Sequence, residues 1–304
     1  MSLTMRAVRA HSGDLASLTG ETVARPEPGA GEVLVRVRAS AVTADELTWS
    51  DAWPVIPLHD VSGVVVATGA GVTEWAAGDE AYGLIGFDRP GAAAEYVAVP
   101  ADQLARKPST VDHVAAATLP LGALTAWQAL HEHGGLKDGG HVLVHGGAGG
   151  VGVYAVQLAA HAGARVTATA SAGDAEFVAG LGAHEVIDYR TEFESKVADV
   201  DVVVDMVGAA TMVRSWRVLR PGGVIVGVAD RPSDDGADRP DGARGVFFVV
   251  RPDGGQLTDL ARLVDAGALR PVVGPVFELA DLAEAIRTQR EEHVRGKVAV
   301  RIGA

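Results

Sequence analysis

HVLVHGGAGGVG, His141 to Gly152, is the stretch whose reading decides the fold. Five residues of buried-strand type run into a glycine cluster, Gly147-x-Gly149-x-x-Gly152, which opens a helix with apolar positions at Val153, Val156 and Leu158. Such a cluster says little by itself in a chain with 38 glycines, but the strand before it and the helix after it make it a dinucleotide fingerprint. Each glycine has its own expected role. Gly147 permits the tight turn, Gly149 leaves bare backbone for a pyrophosphate, and Gly152 lets the helix pack close to the sheet. With Gly150 and Val151 they form the loop, and the helix N-terminus offers unpaired N–H groups and partial positive charge to the phosphates.

Outward from this loop the rhythm is strand, helix, strand. Arg165–Thr169, Glu185–Asp188, Val200–Asp205 and Gly223–Gly227 read as strands separated by helical stretches, which predicts a doubly wound parallel sheet covered by helices. Residues 5–100 differ: short segments such as Glu32–Arg38, alternating polar and apolar, are punctuated by Gly and Pro and predict an all-β, barrel-like part. An amphipathic helix over Leu279–Glu291 and a strand over Lys297–Ile302 are expected to return to that part. The predicted division is therefore 1–118 with 267–304 for the β domain and 119–266 for the nucleotide domain. Asp230–Gly245, rich in Asp, Arg, Pro and Gly, reads as a solvated loop following a strand's C-terminal end.

The 304 residues suit two domains, and 48% hydrophobic residues supply two cores. No apolar run reaches the roughly 18 residues that cross a bilayer, and the first residues lack a signal-peptide pattern, so a soluble, cytoplasmic protein is expected. A net charge of −13 without a basic cluster argues against nucleic acid as a partner, and the absence of cysteine excludes disulfides and thiolate metal sites.

The strand after the loop bears on the choice of dinucleotide. Where an NAD site has Asp or Glu, this one ends at Ala170 and Ser171, which leaves room for a 2′-phosphate and favours NADPH. Tyr189 and Arg190 are the expected phosphate partners; Asp174 argues the other way, and Ser171 has the alternative reading of a helix cap.

Leu119–Trp127, His145–Gly152, Leu181–Ala183, Val186–Tyr189, Leu219–Gly223, Gly296–Val298 and, upstream, His59–Gly63 follow one another in a joint pattern. It resembles the medium-chain dehydrogenase/reductase superfamily in its zinc-free quinone oxidoreductase branch. The resemblance implies a GroES-like β domain, a Rossmann domain and a cofactor held between them. It puts Thr125 near the nicotinamide, and Val207, Gly208, Phe247, Phe248 and Lys297 along the rest of the cofactor. Plain packing is the alternative for both phenylalanines, and a surface position for the lysine. Gly245–Val250 is the expected dimer strand, by likeness to the family.

Zinc-dependent relatives bind metal through cysteines and a His-Glu pair. Here Thr43 stands at the first ligand position and Asp60 replaces the Glu, so His59 and Asp60 alone do not build a three-ligand site. Without a Lewis acid the chemistry suits an acceptor that is already electrophilic, a small apolar quinone or enone. Thr43 is a candidate for its carbonyl oxygen, or a cap of the short helix after it. Trp49 and Trp53 are candidates for a flat apolar wall, or core residues. Tyr82 is a candidate proton donor by type and region alone, and His145 is either beside the cofactor or structural. His131 and His133, two apart on a helix, do not form a metal pair. The alternatives are an enoyl reductase of a polyketide-like pathway and a non-catalytic NADPH-binding sensor.

Overall fold

The computed structural model describes residues 3–50, 52–233 and 238–303. First come strands β1 (Thr4–Ala10), β2 (Leu18–Ala24), β3 (Glu32–Ala41), β4 (Asp60–Thr68), β5 (Glu80–Leu84), β6 (Tyr96–Pro100) and β7 (Leu104–Arg106). Then follow α1 (His113–Ala117), α2 (Pro120–Trp127), β8 (His141–His145), α3 (Gly152–His161), β9 (Arg165–Ala170), α4 (Ala175–Ala179), β10 (Glu185–Asp188), β11 (Val200–Asp205), α5 (Ala209–Ser215), β12 (Leu219–Gly227) and β13 (Arg244–Phe247). The last elements are α6 (Gly254–Asp265), β14 (Val273–Glu278), α7 (Leu282–Glu291) and β15 (Lys297–Arg301). They form two compact units, divided between Leu121 and Gly122 and again between Val250 and Arg251.

In the Gly122–Val250 unit six strands lie in the order β10-β9-β8-β11-β12-β13, all neighbours parallel. Counted along the chain this is 3-2-1-4-5-6, the doubly wound dinucleotide-binding order. Val142–Val144, Val202–Val204 and Val224–Val226 are buried apolar runs, as strands covered on both faces require. The chain builds outward from β8 to β10, then crosses back to lay β11 against the other side of β8. At this switch point the strand ends His145 and Asp205 stand side by side.

The other unit holds a mixed sheet, β14-β15-β3-β4-β5-β7, with β6 also paired to β3 and β1-β2 as a separate hairpin. The alternation in β3 holds only in part: Val33, Val35 and Val37 enter the core and Arg36 is exposed, but Leu34 is buried as well. The predicted return is found, since β15 pairs antiparallel with β3 and Leu282, Ala285 and Ile286 of α7 join the same core.

The expected boundary at 267 is corrected to Arg251, because α6 belongs to the β unit. Gly254 lies against the backbone of Asp102 and Leu104, with no room for a Cβ. The Tyr82 hydroxyl donates to the Leu257 carbonyl at 2.5 Å, and the Thr110 hydroxyl donates to Asp265 at 2.9 Å. Tyr82 is thus a buried tie to α6 rather than a proton donor, and burial pushes its phenol far above the ordinary range. Of the loop Asp230–Gly245, residues 234–237 lie outside the described residues; around them, Ser233 accepts from the Trp216 indole and Arg239 lies over that ring.

Candidate active site

In the parallel-sheet unit the glycine loop lies at the C-terminal end of β8. The tight turn is made by Gly146, at φ 78°, rather than by Gly147. Gly147 is fixed by packing instead, since a Cβ there would press on Ala168 and Val178, both at 3.1 Å. Gly152 has no space because the Gly146 carbonyl occupies it, so its closest constraint is the loop itself rather than the sheet. Gly149 differs from both: a Cβ would meet only the Gly146 oxygen at an ordinary 3.5 Å. Nothing inside the protein demands glycine at position 149, which leaves bare backbone at this point of the loop. Gly150 carries a carbonyl against which Gly122 of α2 packs without room for a side chain, so α2 backs the loop, and Thr125, buried, lies one turn further along it.

His145 holds the strand end. The Ser215 hydroxyl donates to the Thr211 carbonyl at 2.8 Å, so at 2.9 Å it accepts from His145 Nε2, and Nδ1 is left to pair with the Thr169 hydroxyl at 3.1 Å. Burial pulls this imidazole down to about 4, so it is a neutral structural bracket. The Thr169 backbone carbonyl in turn accepts from Gly147 N–H at 2.9 Å. Asp205, on the neighbouring strand, is buried and accepts from the N–H groups of Val207 and Gly208 at 2.7 and 2.8 Å. Val207 is exposed and borders Gly146, so both members of the predicted pair Val207 and Gly208 lie at the switch point.

Ser171 and Tyr189 come together because Tyr189 N–H donates to the Ala170 carbonyl at 3.1 Å. The Ser171 hydroxyl does not cap the following turn; it donates to Asp174 Oδ2 at 2.7 Å, and Asp174 is buried. The exposed groups at this strand end are Tyr189 and Arg190, the guanidinium 5.0 Å from the ring centre. Phe247 and Phe248 stand apart from the loop, two strands beyond β11, with Arg231 over Phe247 and His133 4.4 Å from Phe248. His131 stacks on Trp127 at 4.7 Å.

In the β unit the candidate residues fall into two groups. Trp49 is 37% exposed, with its ring 5.0 Å from Phe87 and 5.9 Å from His59. Trp53 packs on the hydrophobic core, which supports its packing reading. Thr43 does not cap the turn after it. Its hydroxyl accepts from the Lys297 ammonium at 3.2 Å, and its N–H donates to Glu46 Oε2 at the same distance. Lys297 is buried and ion-paired with Asp60, whose other oxygen accepts from Leu121 N–H at 2.6 Å. The surface reading of Lys297 is overturned: its ammonium is held inside the β unit by Asp60 and Thr43. Burial raises the Asp60 carboxyl while Lys297 opposes that, and burial raises Glu46 to about 8. Glu46 and Asp60 have no assigned part in binding or catalysis from the sequence; the meaning of Asp60 depends on a partner more than 200 residues away, which no local pattern encodes.

Two families match the chain: "Alcohol dehydrogenase GroES-like domain" over residues 29–109 and "Zinc-binding dehydrogenase" over residues 181–300. The donor set does not fit zinc. The chain has no cysteine, and among the described residues no three His, Cys, Asp or Glu side chains are grouped to hold a metal. The Asp60 carboxylate is taken by Lys297 and Leu121, and His59 is held neutral, near 4, by burial. Among relatives, the chain is 32% identical to a chloroplastic quinone-oxidoreductase of Triphysaria versicolor, over 97% of this chain and 98% of that one. It is 35% identical to an NADPH-dependent alkenal/one oxidoreductase of Arabidopsis thaliana, over 90% and 73%. The solved quinone oxidoreductase of Coxiella burnetii superposes with a TM-score of 0.91 at 29% identity, covering 99% of this chain and all of the other. With the sheet order, the glycine loop and these matches together, the chain belongs to the medium-chain dehydrogenase/reductase superfamily, in its quinone oxidoreductase-like branch of oxidoreductases.

Proposed function

We propose that this protein is an NADPH-dependent reductase that passes a hydride to a quinone or a conjugated enone without zinc. The observation that carries the reading is Gly149, a glycine that neither packing nor backbone conformation demands, in a loop at the switch point of a dinucleotide-type sheet. A nicotinamide cofactor fits this cradle. Gly149, Gly150 and Val151 would face the pyrophosphate, Val207 and Gly208 the cofactor beside it, and Thr125 on the backing helix the nicotinamide end. When bound, the cofactor supplies the hydride; the residues of the chain bind, orient and exclude water.

NADPH is favoured over NADH because no acidic residue ends β9; of the two carboxylates nearby, Ser171 ties Asp174 into the interior, and Asp188, beside Ala170 on β10, is paired with Arg190. Tyr189 and Arg190 are then the exposed groups beside Ser171, suited to a 2′-phosphate by stacking and by charge. For the acceptor, the Thr43 hydroxyl is the group that meets a carbonyl oxygen, and the partly exposed Trp49 ring, backed by Phe87 and His59, gives a flat apolar face. A second copy of the chain is the proposed partner, through the unpaired outer edge of β13 and the exposed Val249 beyond it.

The test is cofactor absorbance decay with chelator-treated protein, a naphthoquinone, an aryl quinone, an enone and an aldehyde, each with NADPH and with NADH. Decay that needs a quinone or enone, survives the chelator and favours NADPH is the expected result. Aldehyde-only turnover, or turnover restored by added zinc, contradicts it.

A further inference from the structure

We propose that Trp49 is a specificity-determining residue that selects a fused-ring quinone over an open-chain enone. Its indole is a fixed, electron-rich platform that also holds the oxidised ring more tightly than the hydroquinone. The inference rests on the hydride-transfer reading above and adds the class of acceptor and the release of its product.

The platform is built within one turn of the β unit. Asp45 opens the short helical turn Glu46–Thr48, and Trp49 closes it. Two of its side chains anchor the turn from inside: Glu46 is buried with Oε2 accepting from Thr43 N–H, and Leu47 joins the hydrophobic core. On the outside the Thr48 hydroxyl donates to the Asp45 carbonyl at 2.6 Å, and Trp49 is partly open to solvent. The indole is nonetheless pinned. Its Nε1–H donates to Asp45 Oδ2 at 3.0 Å. Its ring meets Phe87 at 5.0 Å and His59 at 5.9 Å, and those two rings meet each other at 5.1 Å. A tryptophan held both at its N–H and along its ring has little rotamer freedom left to lose when a ligand arrives.

The planes of Phe87 and His59 are inclined to the indole by 70° and 46°, so neither neighbour is stacked parallel on it. With its one donor spent on Asp45, the indole has only its π surface to offer a ligand. That surface is negative at its face, and the Asp45 carboxylate on the N–H adds electron density to it. A quinone ring, drained of electrons by its two carbonyl groups, is positive at its face. It stacks on such a surface with complementary charge as well as area. An open-chain enone has a smaller planar face and gains less. Addition of a hydride and a proton turns the quinone into a hydroquinone, whose two hydroxyl groups return density to the ring. The attraction then weakens and the product leaves. Asp45 at the indole and Asp88, which faces His59, put negative charge beside the trio, so the surface suits a neutral quinone and repels an anionic one.

The test follows the tryptophan emission of the chelator-treated protein, without NADPH and without oxygen, as a naphthoquinone, its hydroquinone, its sulfonate or an open-chain enone is added. Emission lifetimes separate a bound complex from collisional quenching, and the difference between wild type and Trp49→Leu isolates Trp49 among the five tryptophans. Wild type should bind the naphthoquinone about 5-fold more tightly than its hydroquinone. Trp49→Leu should lose about 5-fold in naphthoquinone affinity, seen in turnover as a raised KM rather than a lowered kcat, and Trp49→Phe should recover part of the loss. Asp45→Asn keeps an acceptor for the indole N–H but not the charge, and should bind the sulfonate more tightly than wild type does. If wild type binds quinone and hydroquinone equally, or if Trp49→Leu keeps the full preference for naphthoquinone over the enone, the platform is overturned, and acceptor-dependent NADPH oxidation still upholds the hydride reading. If naphthoquinone affinity depends on Trp49 but no acceptor oxidises NADPH, the platform stands as a binding surface and the hydride reading falls.

Discussion

Gly149 and Gly152 separate binding from folding within one loop. Replacing Gly152 by Ala sets a methyl group against the Gly146 carbonyl, so the loop or α3 must shift, at a cost of roughly 1–3 kcal/mol. Replacing Gly149 by Ala meets nothing closer than 3.5 Å, so the melting temperature should hold while cofactor affinity falls. Calorimetric melting and titration with NADPH check both; unchanged affinity in Gly149→Ala would remove the main support for the binding loop. The glycine spacing is legible in the sequence, but the division of labour is not, because Gly146 takes the turn and Gly147 packs against β9 and α4. Lys297 escapes a local reading for a related reason. Its pattern, Gly296 then a strand, suits a surface lysine equally well, and only the long-range contact with Asp60 shows that it is buried.

Among the elements, the nucleotide unit is the more readable, because the period changes from strand to helix at each crossover and parallel strands announce themselves as apolar runs. The end of that unit is not readable, since α6 continues the same alternation while packing elsewhere. Its attachment to the β unit rests partly on Tyr82. Tyr82→Phe removes the bond to the Leu257 carbonyl and should cost about 1 kcal/mol in denaturant unfolding, with turnover intact. A variant that keeps its stability but loses turnover would return Tyr82 to the chemistry. The acceptor end is legible only in part: Thr43 and Trp49 stand out by type and region, whereas Phe87 gains its meaning from its ring contact with His59, and Glu46 from its bond to the N–H of Thr43, whose hydroxyl meets Lys297.

Across the whole molecule, the buried ionisable groups set a stability optimum. His59 and His145 are pulled from 6.5 down to about 4, so the unfolded chain binds more protons between these values and stability is lost as the pH falls through them. Glu46 is raised from 4.5 to about 8, so the folded chain binds more protons there and stability is lost as the pH rises toward 8. The melting temperature should peak near neutrality, and Glu46→Gln should flatten the decline on the alkaline side while leaving the acid side in place. A decline toward pH 8 that survives in Glu46→Gln would show that another group titrates there.

The proposed reaction moves a hydride from a nicotinamide to an electrophilic acceptor unaided by zinc, and an isotope label can follow that hydride. NADPH deuterated at C4, in each stereochemical form, is supplied to chelator-treated protein with a conjugated enone, and the label in the product is located by NMR. One deuterium on the β-carbon from one of the two forms, with the second hydrogen drawn from solvent, is the expected result. Tight NADPH binding with no deuterium in the product, or label transfer that appears only when zinc is returned, would rule the reaction out.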